Sequence, residues 1–478
     1  MERRQSVSQA PENQTGIPKS EDYRVDPQRS KGPRDPAARH TPPSIRPRRP
    51  GGKGEKIQQV LERVYDSGRL RRAWEQIRKN AGAAGIDGMT IWQFESRQQE
   101  LLGLAREKLE AGSYRFKPVR RRLIRKEGSR KQRKLGIPTV MDRVVGQAMH
   151  LTLVEIFDGS FSHSNFGFRV GKSQQAAIRH VKVAVEEEYT WCASIDLQDF
   201  FDEIPHGLIL KLLRRRMRDE RFITMIARAL KAGVVVDRVR QKTTKGCPQG
   251  SPLSPTLSNI VLNELDQELE RRGHRFCRWA DDFVILKRSE KAARRVLEST
   301  TRYLEEELQL VVNREKSYVA RIGRVEFLGY QITGGKIGVS RKAQKKFKRQ
   351  VHQLTKRNNP LSMYQIIRDL NEYIGGWVGY YRIQEFAKVF EKLDRYIRNR
   401  LRSMQLKKWK KPKKFQRMLI RAGFTPQVAH QTWVKMDHWC SVSRREVLIL
   451  LNLAWFRRQG LIFLDDYTNR NLELPFSC

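Results

Sequence analysis

The stretch Arg275-Phe-Cys-Arg-Trp-Ala-Asp-Asp-Phe-Val-Ile-Leu286 constrains this chain more than any other. Phe276 to Trp279 and Phe283 to Leu286 are short apolar, aromatic-rich runs with strand character. They predict a tight hairpin whose tip carries Asp281 and Asp282. Two acids on a tip rooted in a core make a stiff mount for a hard divalent cation such as Mg²⁺. Such ions take carboxylate oxygens and share them with substrate phosphates. Taken alone, an Asp-Asp pair is far more often an acidic surface turn.

A third acid changes that balance. Trp191-Cys-Ala-Ser-Ile-Asp196 predicts a strand that ends on a carboxylate. Helix follows from about Leu208 to Lys231, a strand from Val234 to Lys242, a turn at Gly246-Cys-Pro-Gln-Gly-Ser-Pro252 and a helix over Thr256 to Arg272. If the two acid-bearing strands are neighbours in one sheet, Asp196 stands beside Asp281 and Asp282. Two cations about 4 Å apart on such acids activate a 3′-hydroxyl and stabilise a departing pyrophosphate oxygen. Phosphoryl transfer needs little from a protein beyond positioning and charge neutralisation.

Charge supplies the substrate class. The 478 residues carry 95 Lys and Arg against 52 Asp and Glu, a formal net charge of +43. That excess points to a polyanionic partner, and its spread along the whole length favours nucleic acid over a membrane surface. No apolar run approaches the roughly 20 residues of a membrane span, so no membrane partner is expected. The start of the chain has no apolar core of the signal-peptide kind, so an intracellular setting is expected. None of the five cysteines forms a Cys-x-x-Cys pair, which argues against a zinc site or a disulfide framework.

Residues 1–52 are poor in apolar side chains and predict a disordered basic arm. Lys56 to Lys79 predicts an amphipathic helix broken at Gly68, and Thr90 is a predicted helix cap. Phe116 to Ile124, loaded with Arg120, Arg121 and Arg122, predicts one arm of a hairpin that turns at Gly128-Ser129. Those arginines either face solvent or grip a triphosphate or template backbone. Val140 to Phe157 predicts a helix, as do Gln174 to about Glu187, capped by Ser173, and Ser289 to Leu308. Val325 to Ile332 predicts a strand with Gly329 and Tyr330 at its middle. Everything from Arg341 onward predicts basic helix.

These blocks resemble a known family. Ser194-Ile-Asp-Leu-Gln-Asp-Phe-Phe-Asp-Glu-Ile-Pro-His206 is similar to polymerase motif A of reverse transcriptases. Gly246-Cys-Pro-Gln-Gly-Ser-Pro-Leu-Ser-Pro255 resembles motif B, and Trp279-Ala-Asp-Asp282 motif C. Leu135 to Arg143, Asn165-Phe-Gly-Phe-Arg169, Asn313-Arg-Glu-Lys316 and Glu326-Phe-Leu-Gly-Tyr330 resemble further blocks. Their order is that of group II intron-encoded reverse transcriptase/maturases and their bacterial relatives, and the likeness runs from about Leu70 to Gly460. Asn371-Glu-Tyr-Ile-Gly-Gly-Trp-Val-Gly-Tyr-Tyr381 resembles the maturase-specific thumb, and the Lys407–Lys414 run the basic segment beyond it. No Cys/His-rich endonuclease module is visible, so the endonuclease-lacking class is expected.

The resemblance implies an α+β right-hand polymerase: fingers, a palm with an antiparallel sheet, and a helical thumb, followed by a small basic helical C-terminal domain. The expected divisions are 53–340 for fingers and palm, 341–400 for the thumb and 401–478 for the basic region. It implies that Asp196, Asp281 and Asp282 are the metal-binding catalytic acids, with the Leu197 carbonyl as a further ligand, holding two Mg²⁺ ions for which Mn²⁺ can substitute. Lys126, Arg133, Phe201, Gln249, Gly250 and Lys316 would contact the incoming nucleotide. Phe201, five positions after Asp196, would exclude a 2′-hydroxyl and so select deoxynucleotides. Phe327-Leu-Gly329 resembles the primer grip. The expected partners are an RNA template, intron RNA, a DNA primer or target and dNTPs. The expected setting is the bacterial cytoplasm against the nucleoid. RNA-directed DNA synthesis with a maturase role is the implied activity; a pure splicing cofactor, or a free-standing relative in antiviral defence or DNA repair, is the alternative. The chain departs from the family at Trp279, where most members have Tyr.

Overall fold

Alternate residues of the central strands face two different cores, and that division organises the molecule. The computed structural model describes residues 56–125, 132–236, 239–241, 243–248, 250–409, 412–435 and 442–467. The predicted arm over 1–52 lies outside them.

The chain enters through α1 (Val60–Tyr65) and α2 (Ser67–Lys79). The break between them is at Asp66 rather than Gly68, because the Asp66 carboxylate accepts the Arg69 amide and starts a new helix. Helices α3 (Ile91–Glu95) and α4 (Gln98–Glu110) follow, and Thr90 forms the expected cap as a capping box with Gln93. The fingers hairpin pairs β1 (Val119–Arg125) with β2 (Gln132–Ile137), Arg120 opposite Ile137 and Ile124 opposite Arg133. Next come α5 (Val140–Phe157), α6 (Gln174–Glu186), β3 (Trp191–Ile195) and the single turn α7 (Phe200–Glu203).

The expected single helix from Leu208 to Lys231 is two, α8 (His206–Arg216) and α9 (Glu220–Leu230), because Asp219 caps the second by accepting the Phe222 amide. Val234 to Lys242 is likewise not one strand. It folds back as β4 (Val234–Val236) and β5 (Val239–Gln241), Val234 opposite Gln241, and β4 pairs in parallel with β1. Helix α10 (Ser254–Arg271) leads to β6 (Arg275–Trp279) and β7 (Asp282–Lys287), then to α11 (Glu290–Glu306), β8 (Tyr318–Arg321), β9 (Tyr330–Thr333) and β10 (Lys336–Val339). Two features here differ from the expected pattern. Val325 to Gly329 is a turn instead of strand, because Leu328 and Gly329 both take positive φ, 51° and 75°. The β9–β10 hairpin was hidden by two glycines at its turn, Gly334 and Gly335.

The palm sheet is antiparallel in the order β6-β7-β3-β8. Ala193, Ile195, Phe276, Phe283 and Ile285 belong to a core built with α5, α8, α9 and α10. Cys192, Cys277, Val284 and Leu286 point the other way, to a core shared with α6 and the chain beyond β9. A two-residue side-chain period with both faces covered makes these strands apolar at every position. Each such large side chain contributes about 1.5–3 kcal/mol.

The thumb is α12 (Arg341–Leu354), α13 (Met363–Tyr381) and α14 (Ala387–Lys408). Its aromatics pack on one another: Phe347 on Tyr373 and Trp377, and Trp377 on Tyr381. Helix α14 continues through residue 400, so that expected division falls inside one helix. Beyond it lie α15 (Pro412–Arg421), α16 (Pro426–Val434), α17 (Arg445–Leu450) and α18 (Leu453–Arg458). Trp409, centred in the basic run, is buried against Phe415 and is core. Asp394 on α14 accepts the amides of Leu464 and Asp465, tying the end of the described chain to the thumb. Among the described residues no helix is long and apolar enough to cross a membrane.

Candidate active site

Strand register brings the three acids together. Ile195 pairs with Phe283 and Ser194 with Val284, so Asp196, one step beyond β3, is level with Asp282. Across the hairpin Trp279 pairs with Asp282, leaving Ala280 and Asp281 as a two-residue tip with Ala280 at φ 56°. The hairpin forms where the sequence predicts it, with Asp281 on the tip and Asp282 opening β7.

The end of β3 is fastened on its other side. The Asn313 amide donates to the Asp196 carbonyl at 2.8 Å and the Gln198 amide to the Val311 carbonyl at 2.8 Å. Alternation along an extended backbone then directs the Leu197 carbonyl to the opposite edge, the one facing β7. The Asp196 amide donates to Ser317 Oγ, and Lys316 Nζ stands 3.2 Å from Asp196 Oδ2. Lys316 thus reaches the acid cluster.

The electrostatics are those of a site short of positive charge. Asp282 keeps solvent on one side, yet its carboxyl is raised to about 6. Partial burial is the main cause and the charges of Asp281 and Asp196 add to it, against Lys316 and Lys342. Among the described residues no three His, Cys, Asp or Glu side chains are already closed into a metal cage. An open set of mutually repelling carboxylates fits a hydrated divalent ion that also takes substrate phosphate oxygens, which is how Mg²⁺ is ordinarily held.

The raised carboxyl has a consequence for stability. Between its ordinary value near 4 and about 6, the folded metal-free protein binds more protons at Asp282 than the unfolded chain does. That contribution is complete below pH 4 and is lost as pH rises through 6. Asp282→Asn should therefore melt higher than wild type in chelator at pH 8 and equally at pH 4. Added Mg²⁺ should raise the wild-type melting temperature at pH 8 more than at pH 5. An Asn variant no more stable at pH 8 would show that neither burial nor the neighbouring acids penalise the Asp282 carboxylate.

The expected nucleotide contacts fare differently. Phe200 is buried and Phe201 half-exposed, so the adjacent rings divide as their order requires. Motif A and motif B are joined by backbone: the Cys247 amide donates to the Phe201 carbonyl at 2.6 Å and the Gly246 amide to the Ile204 carbonyl at 2.8 Å. Gly246 and Gly250 have φ of 87° and 105°, and a Cβ on either would overlap a carbonyl, of Asp202 or Gly136. The second of these puts the motif B turn directly under the fingers strand β2. Arg133 sits in β2 with its backbone paired to Ile124. Lys126 and Gln249 lie outside the described residues, as does the side chain of Arg133.

The group that fixes the hairpin tip was not singled out from sequence. Arg278, in β6, is fully buried, and its guanidinium donates to both Asp266 carboxylate oxygens at 2.7 and 2.5 Å. The same side chain donates to Asn259 Oδ1 and to the Ala280 carbonyl, each at 3.0 Å. Asn259 Nδ2 donates in turn to the Gly167 carbonyl at 2.8 Å. Gly167 lies so close that a Cβ would overlap the Ala280 amide. The Asn-Phe-Gly-Phe-Arg block is thereby explained as packing against the acid-bearing hairpin. The available signal was a lone arginine inside an apolar strand, which requires a buried partner.

Comparison with known proteins places the chain in a family. Residues 124–332 match the reverse transcriptase (RNA-dependent DNA polymerase) family, and residues 344–422 the group II intron maturase-specific domain. Protein YkfC of Escherichia coli K12 is 32% identical over 53% of this chain and 77% of its own length. The chain belongs to the group II intron-type reverse transcriptase/maturase family. The group II intron-encoded protein LtrA of Lactococcus lactis is 26% identical over 62% of this chain, and the match spans 60% of LtrA. A chain of a partial Cas6-RT-Cas1–Cas2 complex is 24% identical over 52% of this chain and 43% of that one, at a TM-score of 0.34. The right-hand fold and RNA-directed DNA polymerase activity are those of the reverse transcriptase family, and the maturase-specific match runs from α12 through α15. RNA and DNA are the substrate classes.

Proposed function

We propose that Asp196, Asp281 and Asp282 are the catalytic acids of a two-Mg²⁺ nucleotidyl transfer that extends a primer 3′-hydroxyl with dNTPs on an RNA template. The observation that carries this is the β3–β7 register, which sets Asp196 level with Asp282 beside a two-residue tip holding Asp281. When bound, the divalent ions would lower the pKa of the attacking hydroxyl and neutralise the departing pyrophosphate.

The chain's own residues do the remaining work. The Leu197 carbonyl, on the edge facing β7, is a further ligand. Lys316 balances the acid cluster from one side. Phe201 lies under the sugar and leaves no room for a 2′-hydroxyl, while Gly250 lets the motif B turn approach the nucleotide. Lys126, Arg133 and Gln249 complete the nucleotide's contacts in this reading. Intron RNA binds along the basic thumb and the region beyond it, through phosphate contacts that weaken with salt. The net charge of +43 suits work on nucleic acid in the bacterial cytoplasm.

Primer extension on matched RNA and DNA templates tests the reading. With Mg²⁺ and dNTPs the wild type should copy RNA, chelator should stop it, and rNTPs should be poor substrates. Phe201→Ala should admit rNTPs, raising their kcat/KM about 10- to 100-fold. Extension that survives chelation, or an Ala variant that still rejects rNTPs, would contradict it.

A further inference from the structure

Phe168 is out of place for its residue type. It is a bulky aromatic at φ 56°, in the left-handed region, and its side chain is 45% exposed. A conformation of that kind costs about 1–3 kcal/mol and persists only where neighbours impose it. Both neighbours do. Gly167 is wedged against the Ala280 amide, and Arg169 is clamped by Asp158 at 2.7 Å and by the carbonyls of Ser162 and Asn165. With the backbone held on both sides, the ring can only project outward.

It projects toward the sugar site. The Phe168 ring stands 6.5 Å from that of Phe201 at 72°, edge to face, while the other neighbour of Phe201 is buried Phe200 at 5.3 Å. Phe201 therefore has an aromatic contact on the core side and another from the loop that touches the metal hairpin. An edge-to-face pair of this geometry restricts ring rotation as well as burying area.

We propose that Phe168 is a positioning residue for sugar discrimination, holding the Phe201 ring in the orientation that leaves no space for a 2′-hydroxyl. This rests on the reading of Phe201 given above. The incoming nucleotide would meet two rings, one fixed by the other, rather than a single ring free to turn aside.

Single-nucleotide incorporation on a primed RNA template, with a dNTP and the matching rNTP, tests it. The measured quantity is the ratio of their kcat/KM values. Phe168→Ala should lower that ratio about 10-fold, chiefly by lowering KM for the rNTP. Phe168→Asn should do the same, and because Asn tolerates the left-handed conformation it keeps the test valid if the Ala variant folds poorly. Phe168→Tyr retains the ring and should retain the ratio. Adding Phe168→Ala to Phe201→Ala should change nothing further, since the two act as one unit. If Phe201→Ala relaxes selection while Phe168→Ala and Phe168→Asn leave it intact, Phe168 has no part in it. If Phe201→Ala itself leaves the ratio unchanged, the sugar-excluding reading of Phe201 falls and this proposal with it.

Discussion

Asp281→Ala is expected to leave primed-RNA binding within about twofold of wild type while slowing cDNA synthesis by about a thousandfold or more. Binding and chemistry separate because they draw on different charges. Affinity for RNA comes from a surplus of 43 positive charges spread over the chain, and losing one carboxylate hardly alters it. Its salt dependence should also be unchanged, because no phosphate contact is lost. In the proposed mechanism chemistry depends instead on three carboxylates, Asp281 and Asp282 at the hairpin and Asp196 at the end of β3. A thousandfold loss corresponds to about 4 kcal/mol of barrier. Gel-shift titration and single-turnover extension on the same preparation make the comparison. Synthesis within tenfold of wild type would remove Asp281 from the catalytic set.

Arg278→Met should cost about 3–5 kcal/mol of stability, because it leaves the Asp266 carboxylate buried without its partner. That loss alone would say little about catalysis. The double variant Arg278→Met/Asp266→Leu separates the two effects, since replacing both halves of a buried ion pair with apolar groups is often neutral. Melting temperature should largely return. Activity should not, because the Ala280 carbonyl and Asn259 still lack the guanidinium that joined them. Groups that support metal-site geometry are worth about 10- to 100-fold. Part of that deficit should appear as a higher Mg²⁺ requirement. If the double variant recovers both stability and activity, the network serves the fold and nothing more.

Much of the site was legible because its chemistry is local. Asp196 and Asp282 sit at strand ends and Asp281 on the tip between two strands, and a strand end is visible as an apolar run stopping at an acid. Helix boundaries were legible where a Ser or Thr stood ready to cap, as at Thr90, Ser173 and Ser289. They were missed at Asp66 and Asp219, which look like ordinary surface acids until their carboxylates are seen accepting amides. The Val325–Ile332 error has a different origin. Apolar alternation does not encode the sign of φ, so a turn made by Leu328 and Gly329 passed for strand. The buried network was hidden by distance along the chain. Arg278 draws its partners from 259 and 266, and the loop it supports from 165 to 169, and no local pattern links those positions.

The turn that replaced the expected strand is also where palm and thumb are joined. The Tyr380 hydroxyl, at the end of α13, donates to the Leu328 carbonyl at 2.9 Å, and the Tyr330 hydroxyl donates to the Tyr380 carbonyl. A Cβ on Gly329 would overlap the Tyr381 hydroxyl. With the Tyr380 hydroxyl bonded to Leu328 and the Tyr381 ring against Gly329, any swing of α13 drags the 327–329 tip along. We propose that 327–329, which resembles a primer grip, carries the primer end with it whenever α13 moves, so that a shift of the thumb and release of the primer end are one event.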